Sequence, residues 1–199
     1  MDKIVFFNIA CMERYQGIAE DKAMHGGRYV EERGYGAEIF NFQPFEDKMY
    51  GFVEAGWNPL KCINIARLGA PGSAPAISGI LVIWVAKQSY GKKTLVVGWY
   101  KDATVYRERQ KPPVGSNRKE PSGGDAPYFA EADKENCLLI PPKMRDFEIL
   151  RASGRKGAGG VGQSNIWYAE DNYGAQIKPK VLEYITKWER QRQLAVRPE

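Results

Sequence analysis

The stretch Gly79–Arg107, GILVIWVAKQSYGKKTLVVGWYKDATVYR, limits the fold more than any other part of the chain. Ile80 to Ala86 and Thr94 to Tyr100 are almost wholly apolar and rich in β-branched and aromatic residues. Short runs of that kind, separated by Ser-Tyr-Gly-Lys-Lys, predict a buried β-hairpin, with a third extended piece running on to Arg107. Trp84, Trp99, Tyr100 and Tyr106 lie on this hairpin or its exit, and Lys87, Lys92, Lys93, Lys101 and Arg107 surround them. Aromatic faces beside cations suit a planar ligand attached to a phosphate chain. The same residue types also suit the interior of a β-barrel.

A chain of 199 residues with 43% hydrophobic content is long enough for one sizeable core, so a single domain over residues 1–199 is expected. The excess of 29 Lys+Arg over 24 Asp+Glu gives a net charge of +5, which is compatible with a polyanionic partner without requiring one. Cys11, Cys62 and Cys137 are far apart, odd in number and form no Cys-x-x-Cys pair, which argues for reduced thiols and against a zinc ribbon or a disulfide framework. The opening MDKIVFFNIA carries only a short apolar run and enters a strand pattern at once. It has neither signal-peptide nor membrane-span character, so a cytoplasmic protein with no membrane partner is expected.

The pattern predicts strands at Lys3–Asn8, Ala37–Phe42, Tyr50–Val53, Tyr128–Ala132, Cys137–Ile140, Phe147–Arg151 and Ile166–Ala169, and a short helix at Gly27–Arg33. Cys62–Leu68 alternates in part and stops at Gly69. Residues 111–126, KPPVGSNRKEPSGGDA, read as a mobile loop whose Arg118 and Lys119 are solvated. The chain closes on a helix over about 179–194, with Pro179 in its first turn and Val181, Leu182, Tyr184, Ile185 and Trp188 as an apolar stripe. Many short strands and few helices point to an α+β protein built on a mixed β-barrel.

Gly157–Gly162 matches G-x-G-x-x-G, but Gln163–Tyr168 reads as a strand rather than the helix that a dinucleotide site needs, so no cofactor is expected. Arg151, Arg155 and Lys156 precede this glycine run, and together they suit close approach to a phosphate backbone. His25 is the only histidine, which removes His-rich metal sites and most hydrolytic triads. No spacing of carboxylates recommends a metal ligand set, and no catalytic constellation is visible.

Four stretches taken together resemble one family: Phe7-Asn-Ile-Ala with Met12 and Tyr15, Gly26-Gly-Arg-Tyr-Val to Glu38-Ile-Phe-Asn-Phe42, the central hairpin, and Gly159–Tyr168. The pattern is similar to the EVE/YTH-like branch of the PUA superfamily, in particular the modified-base readers of modification-dependent restriction systems. The resemblance spans roughly residues 3 to 185 and is at the level of the fold. It implies a PUA-like mixed β-barrel flanked by short helices, holding a flipped, modified base in an aromatic pocket. On this chain the implied base-pocket residues are Asn8, Met12 and Tyr15 after the first strand, Asn41 and Phe42 in the second segment, and Trp84, Trp99 and Tyr106 on the hairpin. Better-known readers place a Trp in the second segment, where this chain has Phe40 and Phe42.

The expectation is therefore a non-enzymatic reader of duplex DNA carrying a methylated or hydroxymethylated base. Lys87, Lys92, Lys93, Arg107, Arg155 and Lys156 would meet the phosphate backbone, and a nuclease domain or subunit elsewhere would cut. An RNA-binding PUA/YTH-like protein and a small metal-dependent nuclease are the alternatives.

Overall fold

The computed structural model describes residues 3–17, 21, 36–55, 62–88, 93–121, 123–152, 159–162 and 164–196. Eight strands run through them: β1 (Lys3–Ile9), β2 (Pro44–Phe45), β3 (Lys48–Gly51), β4 (Ala76–Lys87), β5 (Thr94–Gln110), β6 (Tyr128–Asp133), β7 (Cys137–Leu139) and β8 (Ile166–Trp167). They form one mixed sheet in the order β2-β3-β6-β5-β4-β1-β8, with β7 also paired to β5. β1 runs parallel to β4, and the other pairs are antiparallel. The sheet is open, ending on β2 and β8, and does not close into a ring. The α+β class agrees with the sequence reading.

The central hairpin is present and longer than its apolar runs suggest. Both strands are bent by irregularities in their pairing, between Ile77 and Ile80, Ile80 and Val82, and Trp84 and Val85. Asp102 at φ 50° and Gly79 at φ 72° lie within these stretches. Extra residues of this kind increase twist and re-aim the strand. β5 consequently pairs with β7 through Gly98–Tyr100 and with β6 through Thr104–Gln110.

Alternation along the strands divides the core in two. Val5, Phe7, Val82, Trp84 and Tyr100 face a loop-covered side, together with Met12, Tyr15 and Phe42. Ile4, Phe6, Ile83, Val85 and Trp99 face the other side, which is covered by the helix α1 (Asn172–Val196) through Ile177, Val181 and Ile185. Burying each of these helix side chains contributes about 1.5–3 kcal/mol.

Helix α1 begins seven residues earlier than its apolar stripe indicates, so Pro179 lies inside it rather than in its first turn. The start is set by Asp171, whose Oδ1 accepts from Gly174 N–H (2.8 Å) and whose carbonyl accepts from Ala175 N–H (3.0 Å). That is N-cap geometry. Pro179 points its ring outward on the exposed side.

Three other local expectations are corrected. Ala37–Phe40, within the expected strand Ala37–Phe42, is a 3-10 turn: its Phe40 carbonyl accepts from Arg118, and the following Asn41 side chain exchanges hydrogen bonds with Phe52. Phe147–Arg151 forms only isolated bridges, such as Leu95 with Glu148. Within 111–126 most described residues are exposed, Lys119 included, but Arg118 is buried together with Ser116 and Ala126, so Arg118 is not solvated. The expected helix at Gly27–Arg33 lies outside the described residues. Among the described residues no helix is long and apolar enough to cross a membrane.

Candidate base pocket and its buried polar frame

On the loop-covered side the aromatic residues form a continuous run. Ring centroids lie 5.2 Å apart for Phe7 and Trp84, 5.2 Å for Trp84 and Tyr100, 5.5 Å for Tyr100 and Phe42, and 5.9 Å for Phe42 and Tyr15. The contacts are tilted or edge-on, the arrangements that ring quadrupoles favour. Two glycines make the approach possible. A Cβ on Gly51 would overlap the Trp84 ring, and one on Gly98 would overlap both the Phe42 ring and the Leu138 carbonyl. None of the five rings is more than 2% exposed. They fill their own space, so a planar ligand has to part them.

Polar atoms frame this run. The Asn41 side chain donates to Phe52 O (2.9 Å) and accepts from Phe52 N–H (2.8 Å), while Tyr100 OH donates to Asn41 O. Tyr15, at φ 53°, donates its hydroxyl to Ala10 O (2.8 Å) and accepts from Met12 N–H (3.1 Å). The Asp21 carboxylate takes the successive N–H groups of Glu13, Arg14 and Tyr15 at 2.7, 2.5 and 2.7 Å. Arg145 donates to the carbonyls of Ile140 (2.9 Å), Met12 (2.7 Å) and Glu13 (2.8 Å). In residues 10–15, where Ala10, Cys11, Met12 and Tyr15 are buried and Glu13 and Arg14 exposed, backbone polar groups are thus satisfied by the side chains of Asp21 and Arg145, as burial requires.

Inside the run the indole Nε1 of Trp84, fully buried, has no partner among the described residues. Burial also raises the pKa of the two phenols, Tyr15 and Tyr100, well above the usual value. Both remain neutral hydrogen-bonding groups at any ordinary pH.

Glu38 is buried beside the run, and its Oε1 accepts from Ala10 N–H (3.1 Å). Desolvation is the largest influence on its carboxyl and raises its pKa, an effect only partly offset by backbone N–H groups. A raised folded-state value means that the folded chain holds this proton more tightly than the unfolded chain. Its contribution to stability is therefore greatest below the ordinary value of 4.5 and declines as pH rises through the folded value. Glu38→Gln is expected to remove that decline. The difference in unfolding free energy between wild type and variant, measured by urea titration from pH 4 upward, should grow in the variant's favour. A difference independent of pH would show that Glu38 is charged at no cost in the fold.

The sequence-derived pocket residues divide between sites. Met12, Tyr15, Asn41, Phe42 and Trp84 come together. Trp99 does not: it lies on the helix-covered face, because neighbouring residues of a strand point to opposite faces and Trp84 pairs with Gly98, not with Trp99. Asn8 faces away from Trp84 as well, donating from Nδ2 to Asn165 Oδ1 (3.2 Å) and from its backbone N–H to Asn165 O (2.8 Å). Tyr106 belongs to a separate group near the sheet edge, 5.7 Å from the Tyr128 ring, which is itself 4.9 Å from Tyr50.

The expected backbone-contacting cations also divide. Arg107 donates to the carbonyls of Ala74 (2.9 Å), Gly72 (2.8 Å) and Pro71 (3.5 Å), and so pins the 71–74 loop. Lys93 pairs with Glu148 at 3.1 Å but keeps a 61% exposed side chain, and Lys87 is half-buried. Lys92, Arg155 and Lys156 lie outside the described residues, as does His25. The next element after Gly159–Gly162 among the described residues is the strand β8, not a helix. Among the described residues no group of three or more His, Cys, Asp or Glu is placed to hold a metal ion.

Sequence reasoning missed Asp21, Arg145 and Arg118. Each is a charged residue with nothing local to separate it from a solvated one, and each is at most 6% exposed. Neither a protein-family model, nor a curated protein, nor a solved structure matches this chain.

Proposed function

We propose that the chain is a DNA-binding module that receives a methylated or hydroxymethylated base, flipped from the duplex, among the rings of Phe7, Tyr15, Phe42, Trp84 and Tyr100. It acts as the specificity domain of a modification-dependent restriction system, with cleavage carried by a nuclease domain or subunit elsewhere. The observation that carries this reading is the buried, unpartnered indole N–H of Trp84 within that run. A buried donor without a partner is costly in a packed core and is a ready hydrogen-bond donor to the polar edge of a base that stacks there. The +5 charge supports a nucleic-acid partner. The mixed sheet, with its bent central hairpin and C-terminal helix, is compatible with a PUA-like, EVE/YTH-like barrel whose ring has opened at β2 and β8.

The test is a binding panel of duplexes identical except for one base: unmodified, 5-methylated, hydroxymethylated or N6-methylated. One duplex is expected to bind roughly 10- to 200-fold more tightly than the unmodified one, the range that a methyl-sized group earns in an apolar pocket. Equal affinities would sink the reading. Tighter binding of single-stranded RNA would replace it with RNA recognition, and metal-dependent cleavage by the purified chain would replace it with a nuclease.

A further inference from the structure

Arg118 is 2% exposed, yet it makes one hydrogen bond among the described residues: Nη1 donates to Phe40 O at 2.7 Å. Its Nε and Nη2 are buried and have no partner. These two atoms are not arbitrary. In a guanidinium the Nε–H and the Nη2–H lie on one edge and point the same way, forming the fork that matches the two oxygens of a carboxylate or phosphate. The edge left open is therefore the bidentate one, while the single-point contact to Phe40 O orients the group.

Among the described residues no carboxylate is in hydrogen-bond or ion-pair contact with Arg118. The groups that Arg118 senses most are the hydroxyls of Tyr100, Tyr50 and Tyr128, all neutral at pH 7, and desolvation lowers its pKa to about 10. The carboxylate of Glu131, which accepts from Tyr128 OH at 3.2 Å, is paired with Lys48 at 2.9 Å. The Phe40 ring lies 5.3 Å from the guanidinium carbon. Two residues before Arg118, the buried Ser116 Oγ also lacks a partner. A buried cation with an open fork, a neutral aromatic wall and a spare hydroxyl is an incomplete ion pair.

We infer that Arg118 is the receptor for a small oxyanion, a phosphate or a carboxylate, bound side-on by Nε–H and Nη2–H. Beside it, Lys119 pairs with Asp125 and Ala126 N–H donates to Arg118 O (2.9 Å), which holds the backbone that carries the guanidinium. The inference does not depend on base recognition, because the site is read with free anions.

Thermal unfolding of the full chain in inorganic phosphate and, separately, in acetate, each against sodium chloride of equal ionic strength, tests it. A saturable rise in Tm is expected with at least one anion, as binding to the folded state alone requires. The arm that responds distinguishes a phosphoryl from a carboxyl ligand. Arg118→Lys, which keeps the charge and loses the fork, should lose at least tenfold in the apparent affinity. Arg118→Met should show no anion-dependent rise. An equal rise in wild type and Arg118→Met means an adventitious ion only, and no rise in either anion overturns the proposal. Should both variants fail to fold, the Nε–H resonance of Arg118 in wild type decides: a saturable shift with anion supports the site, and a stationary signal overturns it.

Discussion

Arg145→Leu is expected to lower the unfolding free energy by about 3–5 kcal/mol, measured by urea denaturation at neutral pH. The expectation rests on where its three hydrogen bonds go. They end on the carbonyls of Ile140, Met12 and Glu13, and the side chain is 6% exposed, so leucine leaves acceptors buried with no replacement. Arg145→Lys should recover only part of the loss, because one ammonium cannot hold three carbonyls that a planar guanidinium spans. A loss below about 1 kcal/mol in Arg145→Leu would mean that water reaches residues 10–15 and that the loop is not the locked frame described above.

Trp84 and Trp99 should separate in function while resembling each other in stability. Either change to Ala removes a ring that is at most 1% exposed and should cost about 3–5 kcal/mol. The informative pair is therefore Trp84→Phe and Trp99→Phe, which keep an aromatic ring in the core. Trp84→Phe deletes the unpartnered N–H and should bring the preference for a modified duplex down about tenfold or more, with binding of unmodified duplex unchanged. Trp99→Phe should leave the preference intact, since its ring packs under α1 on the opposite face. Loss of discrimination in both variants alike would move the pocket away from the rings around Trp84. Circular dichroism on each variant establishes first that it is folded.

Much of the fold was legible. The hairpin at β4 and β5, the first strand and the C-terminal helix follow from local hydrophobic period, because a buried strand pair and a one-sided helix each leave a repeating mark in the chain. Ala37–Phe40 failed for a reason that no local pattern contains. Its residues alternate as a strand would, but Phe40 O accepts from Arg118, and Asn41 exchanges hydrogen bonds with Phe52, 11 residues away. These long-range partners favour a turn over a strand. The early start of α1 was visible in principle, as Asp171 followed by Asn-Tyr-Gly is a capping signal that the more prominent apolar stripe obscured.

The site was legible only as a set of residue types. Trp84, Phe42, Tyr15 and Met12 were selected as aromatic and soft apolar groups near the first strand and the hairpin, and the fold does bring them together. Trp99 looked equivalent in sequence and is not, because the face that each ring takes depends on the pairing of Trp84 with Gly98. A shift of one residue in that register would set Trp99 opposite Trp84 and bring both rings to one face.

The sequence by itself determined that this chain has a long apolar hairpin, an amphipathic C-terminal helix and an excess of positive charge, since these depend on neighbours close along the chain. Tertiary structure alone decided which charges are solvated. Arg107, Arg118 and Arg145 are indistinguishable as letters. One pins a loop, one is buried with its fork open, and one holds three carbonyls. The physical reason is that the energy of a charge depends on its distance from water and on the groups that replace water around it, and both are set by segments tens of residues away in the chain.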